Sequence, residues 1–213
     1  MLAVAHRRGN EVLTLREAAL LGADVIEGDV HLHRGRLEVR HQKSMGPLPW
    51  FWEKWKVFPP TIPRPPLEEL LEGRPAGATL MLDLKGIGRV GAKARVALAE
   101  HPPHEPFLVC ARWWPSLRHF RDHEAARIVL SARGPLALRR ILQKVRDGHR
   151  PYGVSVHLET LTPESVKELQ SYGVLVLSWP VDDAASLARA RELGIDGAIT
   201  KDLEIMKEVL ATR

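Results

Sequence analysis

Three acidic residues have spacings that would bring their carboxylates onto one surface. Glu27 and Asp29 lie two residues apart in the apolar run 25–33, and Asp83 lies in the later run 79–85. Residues i and i+2 of a strand share a face. Crowded carboxylates repel one another unless a cation lies between them, and hard divalent cations prefer such oxygen ligands. The pattern predicts metal ligands, with salt bridges at strand ends as the alternative.

Basic and imidazole side chains lie at the ends of the same runs. His6 closes the first apolar run beside Arg7, and Lys85 lies two residues after Asp83. Imidazole transfers protons near neutral pH and guanidinium binds phosphoryl oxygens, so the pair is typical of phosphate chemistry. A hydrogen-bonded interior histidine and an internal Asp83–Lys85 ion pair are the simpler alternatives. His41 ends a short extended segment, 37–41, and indicates nothing alone.

The elements that would position these residues alternate along nearly the whole chain. Each of eight predicted strands precedes a segment with a helical pattern, which predicts parallel pairing through right-handed crossovers. We therefore expect an α/β fold, a TIM-type (β/α)8 barrel forming a single domain over 1–213. An open doubly wound sheet has the same alternation and stays as the alternative. The predicted strands are 2–6, 25–33, 79–85, 107–112, 127–133, 152–157, 175–181 and 197–200.

One segment, residues 43–66, interrupts this alternation and is called the insertion below. It is rich in proline and aromatic residues and follows the second strand, where a barrel places a loop on its catalytic rim. We expect a lid or small insertion in which residues 50–58 contact lipid transiently, or in which the rings cover the barrel end. Trp179, at the end of the seventh strand, is a candidate substrate contact or a barrel plug.

Composition limits the classes of protein to consider. The 213 residues carry a formal net charge of +5, with 45% hydrophobic and 27% charged residues, which excludes a disordered or fibrous chain. The basic residues are scattered, so we expect anionic small ligands and no nucleic-acid partner. The single Cys110 and the lack of a charged segment after Met1 predict a cytoplasmic protein. The oligomeric state is not predicted.

In order and spacing, these motifs resemble the glycerophosphodiester phosphodiesterase family over essentially the whole chain. The similar stretches are Ala5-His6-Arg7, Gly22-Ala23-Asp24-Val25-Ile26-Glu27-Gly28-Asp29-Val30, Leu37-Glu38-Val39-Arg40-His41, Leu82-Asp83-Leu84-Lys85, Val176-Leu177-Ser178-Trp179-Pro180-Val181 and Gly194-Ile195-Asp196-Gly197-Ala198-Ile199-Thr200-Lys201-Asp202.

The resemblance implies a barrel of the phospholipase-C-like phosphodiesterase architecture and an enzyme, a phosphoric diester hydrolase. Its substrates would be glycerophosphodiesters, and its products glycerol 3-phosphate or another phosphomonoester plus an alcohol. The aromatic insertion adds lysophospholipids as a further candidate substrate. The implied acid-base pair is His6 and His41. The implied roles of the remaining residues are Mg²⁺ or Ca²⁺ binding by Glu27, Asp29 and Asp83, and phosphate or substrate binding by Arg7, Lys85 and Trp179.

The sequence departs from the family pattern at four places. Arg8 stands where the family has glycine, the following loop is shortened around Asn10, Gln42 replaces an aspartate after His41, and Asp83 replaces a glutamate. These departures keep a second function open, a barrel that binds a phosphorylated ligand with little or no catalysis. Nucleic-acid binding through the +5 charge is a third and weaker alternative.

Overall fold

Strands and helices alternate along the chain, as the sequence predicts. The computed structural model describes residues 1–46, 48–102 and 105–212. In chain order, the strands are β1 (Leu2–Ala5), β2 (Val25–His33), β3 (Arg36–Val39), β4 (Lys43–Ser44), β5 (Phe51–Glu53), β6 (Lys56–Phe58), β7 (Thr79–Lys85), β8 (Phe107–Ala111), β9 (Ala126–Ala132), β10 (Gly153–His157), β11 (Leu175–Trp179) and β12 (Gly197–Thr200).

The helices mostly connect consecutive parallel strands. The α-helices are α1 (Val12–Leu20), α2 (Leu67–Gly73), α3 (Val90–Glu100), α4 (Pro135–Arg146), α5 (Pro163–Ser171), α6 (Ala184–Leu193) and α7 (Leu203–Ala211). Short 3₁₀ helices cover Arg8–Asn10, Trp114–Phe120 and Leu158–Thr160. None of the described helices has the length and apolar character needed to cross a membrane.

Eight parallel strands close into a barrel. Their order is β1-β2-β7-β8-β9-β10-β11-β12, and the ring closes because β1 pairs with both β2 and β12. This arrangement confirms the predicted TIM-type barrel and excludes the open doubly wound sheet. In a closed barrel all eight strands end at one rim, so residues distant in sequence meet there.

Alternation along the strands separates two apolar layers. Side chains that point outward pack against the helices and form the larger core. Side chains that point inward fill the barrel with a second cluster: Val4, Val25, Met81, Leu108, Cys110, Val129, Leu177 and Ile199. Because strand side chains alternate, Glu27 and Asp29 follow Val25 on the inward face, and Asp83 follows Met81. The acidic residues therefore lie above the apolar filling, towards the C-terminal end of the strands.

The short extended segment predicted at 37–41 forms β3, which pairs antiparallel with β2 outside the barrel. Arg34 and Gly35 both have positive φ angles, 48° and 83°, which turns the chain into a hairpin. One connection differs from the sequence prediction: the segment after β8, predicted to be helical, is a 3₁₀ helix at Trp114–Phe120.

The insertion forms a small antiparallel sheet in the order β4-β5-β6. Phe51, the first residue of β5, has a buried side chain. The guanidinium carbons of Arg40 and Arg64 lie 4.6 and 5.1 Å from the centroid of its ring. Glu38 of β3 accepts hydrogen bonds from both arginines, at 3.0 and 3.2 Å. Cation–π contacts and ion pairs thus hold the insertion against the β2–β3 hairpin.

A close backbone approach positions the loop after β1. A Cβ atom added at Gly28 would lie 2.8 Å from the carbonyl oxygen of Gly9, and one at Gly9 would lie 2.9 Å from the carbonyl oxygen of Glu27. Both glycines therefore lack room for a side chain. Their contact packs the 3₁₀ turn Arg8–Asn10 directly onto β2, between the two acidic residues of that strand.

Candidate functional site

Three carboxylates converge at the C-terminal end of the barrel. Glu27 and Asp29 lie on the inward face of β2, and Asp83 lies opposite Asp29 in the parallel pairing of β2 with β7. One oxygen from each residue lies within 4.8 Å of the others. Glu27 and Asp29 are buried, whereas Asp83 is partly exposed. The structure therefore brings together all three acidic residues singled out in the sequence.

Lys85 supplies positive charge to this cluster. Its Nζ lies 2.6 Å from Asp29 Oδ1 and also contacts Asp83 Oδ2. Burial by itself lowers the pKa of Lys85, but the charges of Asp83 and Asp29 outweigh burial and raise it well above its usual range. For Asp29, burial raises the pKa, but the charge of Lys85 and the hydrogen bond with His41 outweigh burial. The pKa of Asp29 is therefore lowered.

The pKa of Glu27 is shifted in the opposite direction to that of Asp29. Burial and then the charge of Asp29 raise the pKa of Glu27 well above its usual value. Its Oε2 accepts a 2.7 Å hydrogen bond from the backbone N–H of Arg7. Arg7 has a left-handed backbone conformation, with φ of 61°, which is strained for a residue with a side chain. Two adjacent carboxylates with pKa values shifted in opposite directions indicate a cluster with more negative charge than Lys85 alone balances.

The two candidate catalytic histidines have different surroundings. His6 follows β1, and its Nε2 lies 4.0 Å from Glu27 Oε2. Burial, and then the charge of Arg7, lowers the pKa of His6 to about 4, so its ring is neutral near pH 7. His41 lies between two carboxylates: its Nδ1 is 2.9 Å from Asp29 Oδ2 and its Nε2 is 3.1 Å from Glu53 Oε1.

Glu53 was not identified in the sequence analysis. It is the last residue of β5 in the insertion, and its Oε1 also lies 3.4 Å from a terminal nitrogen of Arg7. One carboxylate oxygen thus contacts both Arg7 and His41. The sequence signal around Glu53 is weak because it lies among aromatic and basic residues with no extended strand pattern.

Asn10 also lies in the site, although the sequence analysis gave it no role. Its Oδ1 accepts a 2.7 Å hydrogen bond from the backbone N–H of Asp29, and its Nδ2 donates to Asp29 Oδ2 at 3.1 Å. The amide therefore holds Asp29 at both its backbone and its side chain. An asparagine in the polar loop after the first strand is the sequence signal that could have identified it.

Trp179 lies on the same rim, on the far side of the barrel from β2. It ends β11, packs partly against the apolar filling of the barrel, and has its ring centroid 4.9 Å from that of His157. Trp179 thus covers part of the apolar filling at the rim, beside His157. Both alternatives from the sequence, a pocket wall and a plug, are consistent with this location.

Solved structures that superimpose on this chain include phosphodiesterases. A phosphodiesterase of Oleispira antarctica, in complex with the product sn-glycerol-3-phosphate, superimposes with a TM-score of 0.77 at 17% identity, over 99% of this chain and 96% of that one. Glycerophosphodiester phosphodiesterases of Parabacteroides distasonis and Thermotoga maritima give TM-scores of 0.75 and 0.73 at 19% and 18% identity. These matches cover 99% and 100% of this chain, and 96% and 99% of the two relatives.

The resemblance noted in the sequence is therefore confirmed at the level of the fold. The chain matches no protein-family model and no curated protein sequence. At below 20% identity, the solved structures show that the barrel and its connections are shared. The chemistry performed at the rim has to be argued from the residues themselves.

The Asn10 hydrogen bonds to buried Asp29 predict a measurable loss of stability on mutation. Asn10→Ala should lower the free energy of unfolding by about 1–3 kcal/mol, because a buried backbone N–H loses its acceptor and Asp29 Oδ2 keeps only its contact with His41. Asn10→Asp should cost more, because it places a second carboxylate against Asp29. Urea unfolding at pH 7 in the presence of a chelator measures both effects.

A matched control is Gln143→Ala, which removes an exposed amide-to-carboxylate hydrogen bond to Asp147. This variant should change the free energy of unfolding by less than about 0.5 kcal/mol. If Asn10→Ala is as stable as the wild type, the amide does not support Asp29 in the way described.

Proposed function

We propose that this protein is a divalent-metal-dependent phosphodiesterase that hydrolyses glycerophosphodiesters. The observation that carries the proposal is the convergence of Glu27, Asp29 and Asp83 beside two imidazoles at the C-terminal end of a closed barrel. That end of the fold holds the active sites of such barrels. A known structure with the same fold contains sn-glycerol-3-phosphate, which supports the substrate class.

The carboxylate cluster fits a hard divalent cation, Mg²⁺ or Ca²⁺. Three oxygens from separate residues lie within 4.8 Å of one another, and Asp83 Oδ1 is buried without a hydrogen-bond partner among the described residues. Glu27, Asp29 and Asp83 would be the protein ligands. When bound, the cation would supply positive charge for the phosphoryl oxygens.

The two histidines divide the proton transfers between them. The neutral His6 would accept, at its Nε2 atom, the proton of the glycerol hydroxyl that attacks phosphorus. The P–O bond to the leaving alcohol would then break, and water would open the resulting cyclic phosphate to give glycerol 3-phosphate. Both ring nitrogens of His41 lie within hydrogen-bond distance of carboxylate oxygens, Asp29 Oδ2 and Glu53 Oε1, which orient the ring. His41 would donate a proton to the leaving alcohol. Different environments for two acid-base groups are a common way to assign them opposite roles.

The remaining polar residues would bind the phosphate and orient the substrate. Arg7 carries its guanidinium on the loop packed against β2, and Lys85 carries its ammonium beside Asp29 and Asp83. Both cations would stabilise negative charge that develops on the phosphoryl oxygens in the transition state. Trp179 would provide an apolar wall on the opposite side of the opening.

The proposal predicts that two substitutions abolish turnover without unfolding the protein. Glu27→Gln removes a metal ligand, and His6→Ala removes the proton acceptor, so each should reduce hydrolysis of glycerophosphocholine at least about 100-fold. A chelator should abolish wild-type activity, and added Mg²⁺ or Ca²⁺ should restore it. Release of glycerol 3-phosphate measures turnover, and circular dichroism verifies folding.

His149→Ala, at an exposed position at the opposite end of the barrel, is the control and should retain wild-type activity. Full activity in Glu27→Gln or His6→Ala would contradict the assigned roles. No turnover with several diesters, together with retained binding of metal and phosphate, would instead support a barrel that binds a phosphorylated ligand.

The substrate proposed in more detail is a lysophospholipid. The insertion places Trp50 and Trp52 partly exposed on the catalytic rim, where an acyl chain could lie against their rings. Burying an apolar chain against aromatic side chains is favourable, at roughly 25 cal/mol per Å² of apolar surface. A diester without an acyl chain gains nothing from these contacts.

This substrate proposal predicts that kcat/KM is higher for lysophosphatidylcholine than for glycerophosphocholine, measured below the critical micelle concentration. Trp52→Ala should reduce the difference between the two substrates because it removes apolar contact area. A clear preference for the deacylated diester would contradict this proposal and leave the phosphodiesterase assignment intact.

The proposed location is the cytoplasm. The only cysteine of the chain, Cys110, is a buried free thiol inside the barrel, and burial raises its pKa well above the usual value. A chain with one unpaired cysteine is typical of a reducing compartment.

A further inference from the structure

Exposed apolar side chains are concentrated on one sector of the catalytic rim. The insertion, the loop after β7 and the loop after β8 all lie at the C-terminal ends of neighbouring strands, since β2, β7 and β8 are adjacent in the barrel. Trp55, in the β5–β6 turn, is fully exposed. Ile87 after β7 is 77% exposed, and Trp113 after β8 is 48% exposed.

The same sector is basic. Between residues 43 and 66 the chain has three lysines, at 43, 54 and 56, and Glu53 is its only acidic residue. Glu53 faces inward to Arg7 and His41, so its charge is not presented outward. Arg112, in the loop after β8, adds an exposed cation beside Trp113. Lysine and tryptophan therefore alternate at the tip of the β5–β6 hairpin, at positions 54, 55 and 56.

We propose that this sector is a docking surface for an anionic lipid membrane. Tryptophan is favoured at the boundary between headgroups and acyl chains, because its ring is apolar and its N–H is polar. Neighbouring lysines would contact lipid phosphates, because an anionic surface attracts basic side chains that lie close to it. The proposal deepens the proposed function, on which it rests for its biological role, because docking would turn the active-site opening towards lipid.

Vesicle co-sedimentation tests the docking surface directly. Vesicles of two parts phosphatidylcholine to one part phosphatidylglycerol should bind the protein, and vesicles of phosphatidylcholine alone should bind it much more weakly. Trp55→Ala, and the double change Lys54→Glu with Lys56→Glu, should each weaken binding at least about tenfold. Binding should also shift tryptophan emission to shorter wavelength, because exposed rings leave water.

The controls are Leu20→Ala and Lys144→Glu, two exposed positions at the ends of α1 and α4, on the opposite end of the barrel. These variants should bind like the wild type. No binding to the anionic vesicles, or equal losses in the control variants, would overturn the proposal. His6→Ala should bind vesicles normally, so failure of docking and failure of the catalytic assignment give different results.

A second, independent observation concerns the inner face of the insertion. Glu53 Oε1 lies 3.1 Å from His41 Nε2 and 3.4 Å from a terminal nitrogen of Arg7. A single carboxylate oxygen therefore contacts both the imidazole of His41 and the guanidinium of Arg7. These are the groups proposed to protonate the leaving alcohol and to bind the phosphate. A phosphodiester bound in the site would present its own anionic oxygens to these same donors.

From this geometry we infer that Glu53 is an internal anion that competes with substrate for Arg7 and His41. The contact is partly exposed, with 24% of the Glu53 side chain accessible, so the carboxylate lies at the surface of the insertion and not in its core. Phe51, two residues earlier, stays buried between its two arginines and holds the strand. This inference rests on the proposed phosphodiesterase function. We call Glu53 the gate, because its carboxylate would occupy Arg7 and His41 until a substrate displaces it.

Glu53→Gln tests the gate, because it keeps the shape and removes the negative charge. Calorimetric binding of glycerol 3-phosphate should become roughly fivefold to tenfold tighter, and KM for glycerophosphocholine should fall. The matched control is Glu159→Gln, which removes an exposed negative charge on the same rim after β10. This control should leave the affinity for glycerol 3-phosphate unchanged.

Unchanged or weaker binding of glycerol 3-phosphate in Glu53→Gln would overturn the gate. A large fall in kcat with unchanged KM would also overturn it, since Glu53 would then orient His41. The binding measurement needs no turnover. It therefore separates the gate from the phosphodiesterase assignment.

Discussion

The dominant physical constraint in this structure is the repulsion among three carboxylates, two of them buried, at the upper end of the barrel. Glu27, Asp29 and Asp83 have oxygens within 4.8 Å of one another. Such a concentration of negative charge is costly to desolvate without compensating cations and hydrogen bonds. Neighbouring residues compensate this charge: Lys85 forms ion pairs with Asp29 and Asp83, and Asn10 donates a hydrogen bond to Asp29. The same requirement makes the cluster suited to a divalent cation.

The barrel is what allows the charges to meet at one place. Parallel strands all end at the same rim, and alternation of side chains places apolar residues below and acidic residues above on the inward face. Cys110, Met81 and their neighbours fill the lower part of the interior with buried apolar side chains. The tight contact between Gly9 and Gly28 then brings the loop after β1 against β2. Arg7 and Asn10 reach the carboxylates for that reason.

The insertion shows how one short strand can serve two surfaces. In β5, Phe51 is buried, Trp52 is exposed and Glu53 turns back towards the site, as expected for residues that alternate across a strand. Its inner face contacts Arg7 and His41, and its outer face and hairpin tip carry tryptophan and lysine. The segment that would meet a lipid surface is therefore the segment that contacts the acid-base and phosphate-binding groups. A change at Trp52 on the outer face is one residue away from Glu53, which contacts the site.

The amino-acid sequence alone determined the alternation of strands and helices, the position of β2 and β7, and the identity of the three acidic residues. These features depend on local periodicity, which is visible in a linear chain. Closure of the barrel, the antiparallel pairing of β3 and the sheet in the insertion depend on which edges meet in space. Asn10 and Glu53 act through contacts with residues 19 and 46 positions away. Only the tertiary structure decided those contacts, because no local pattern records which distant side chain a polar group will reach.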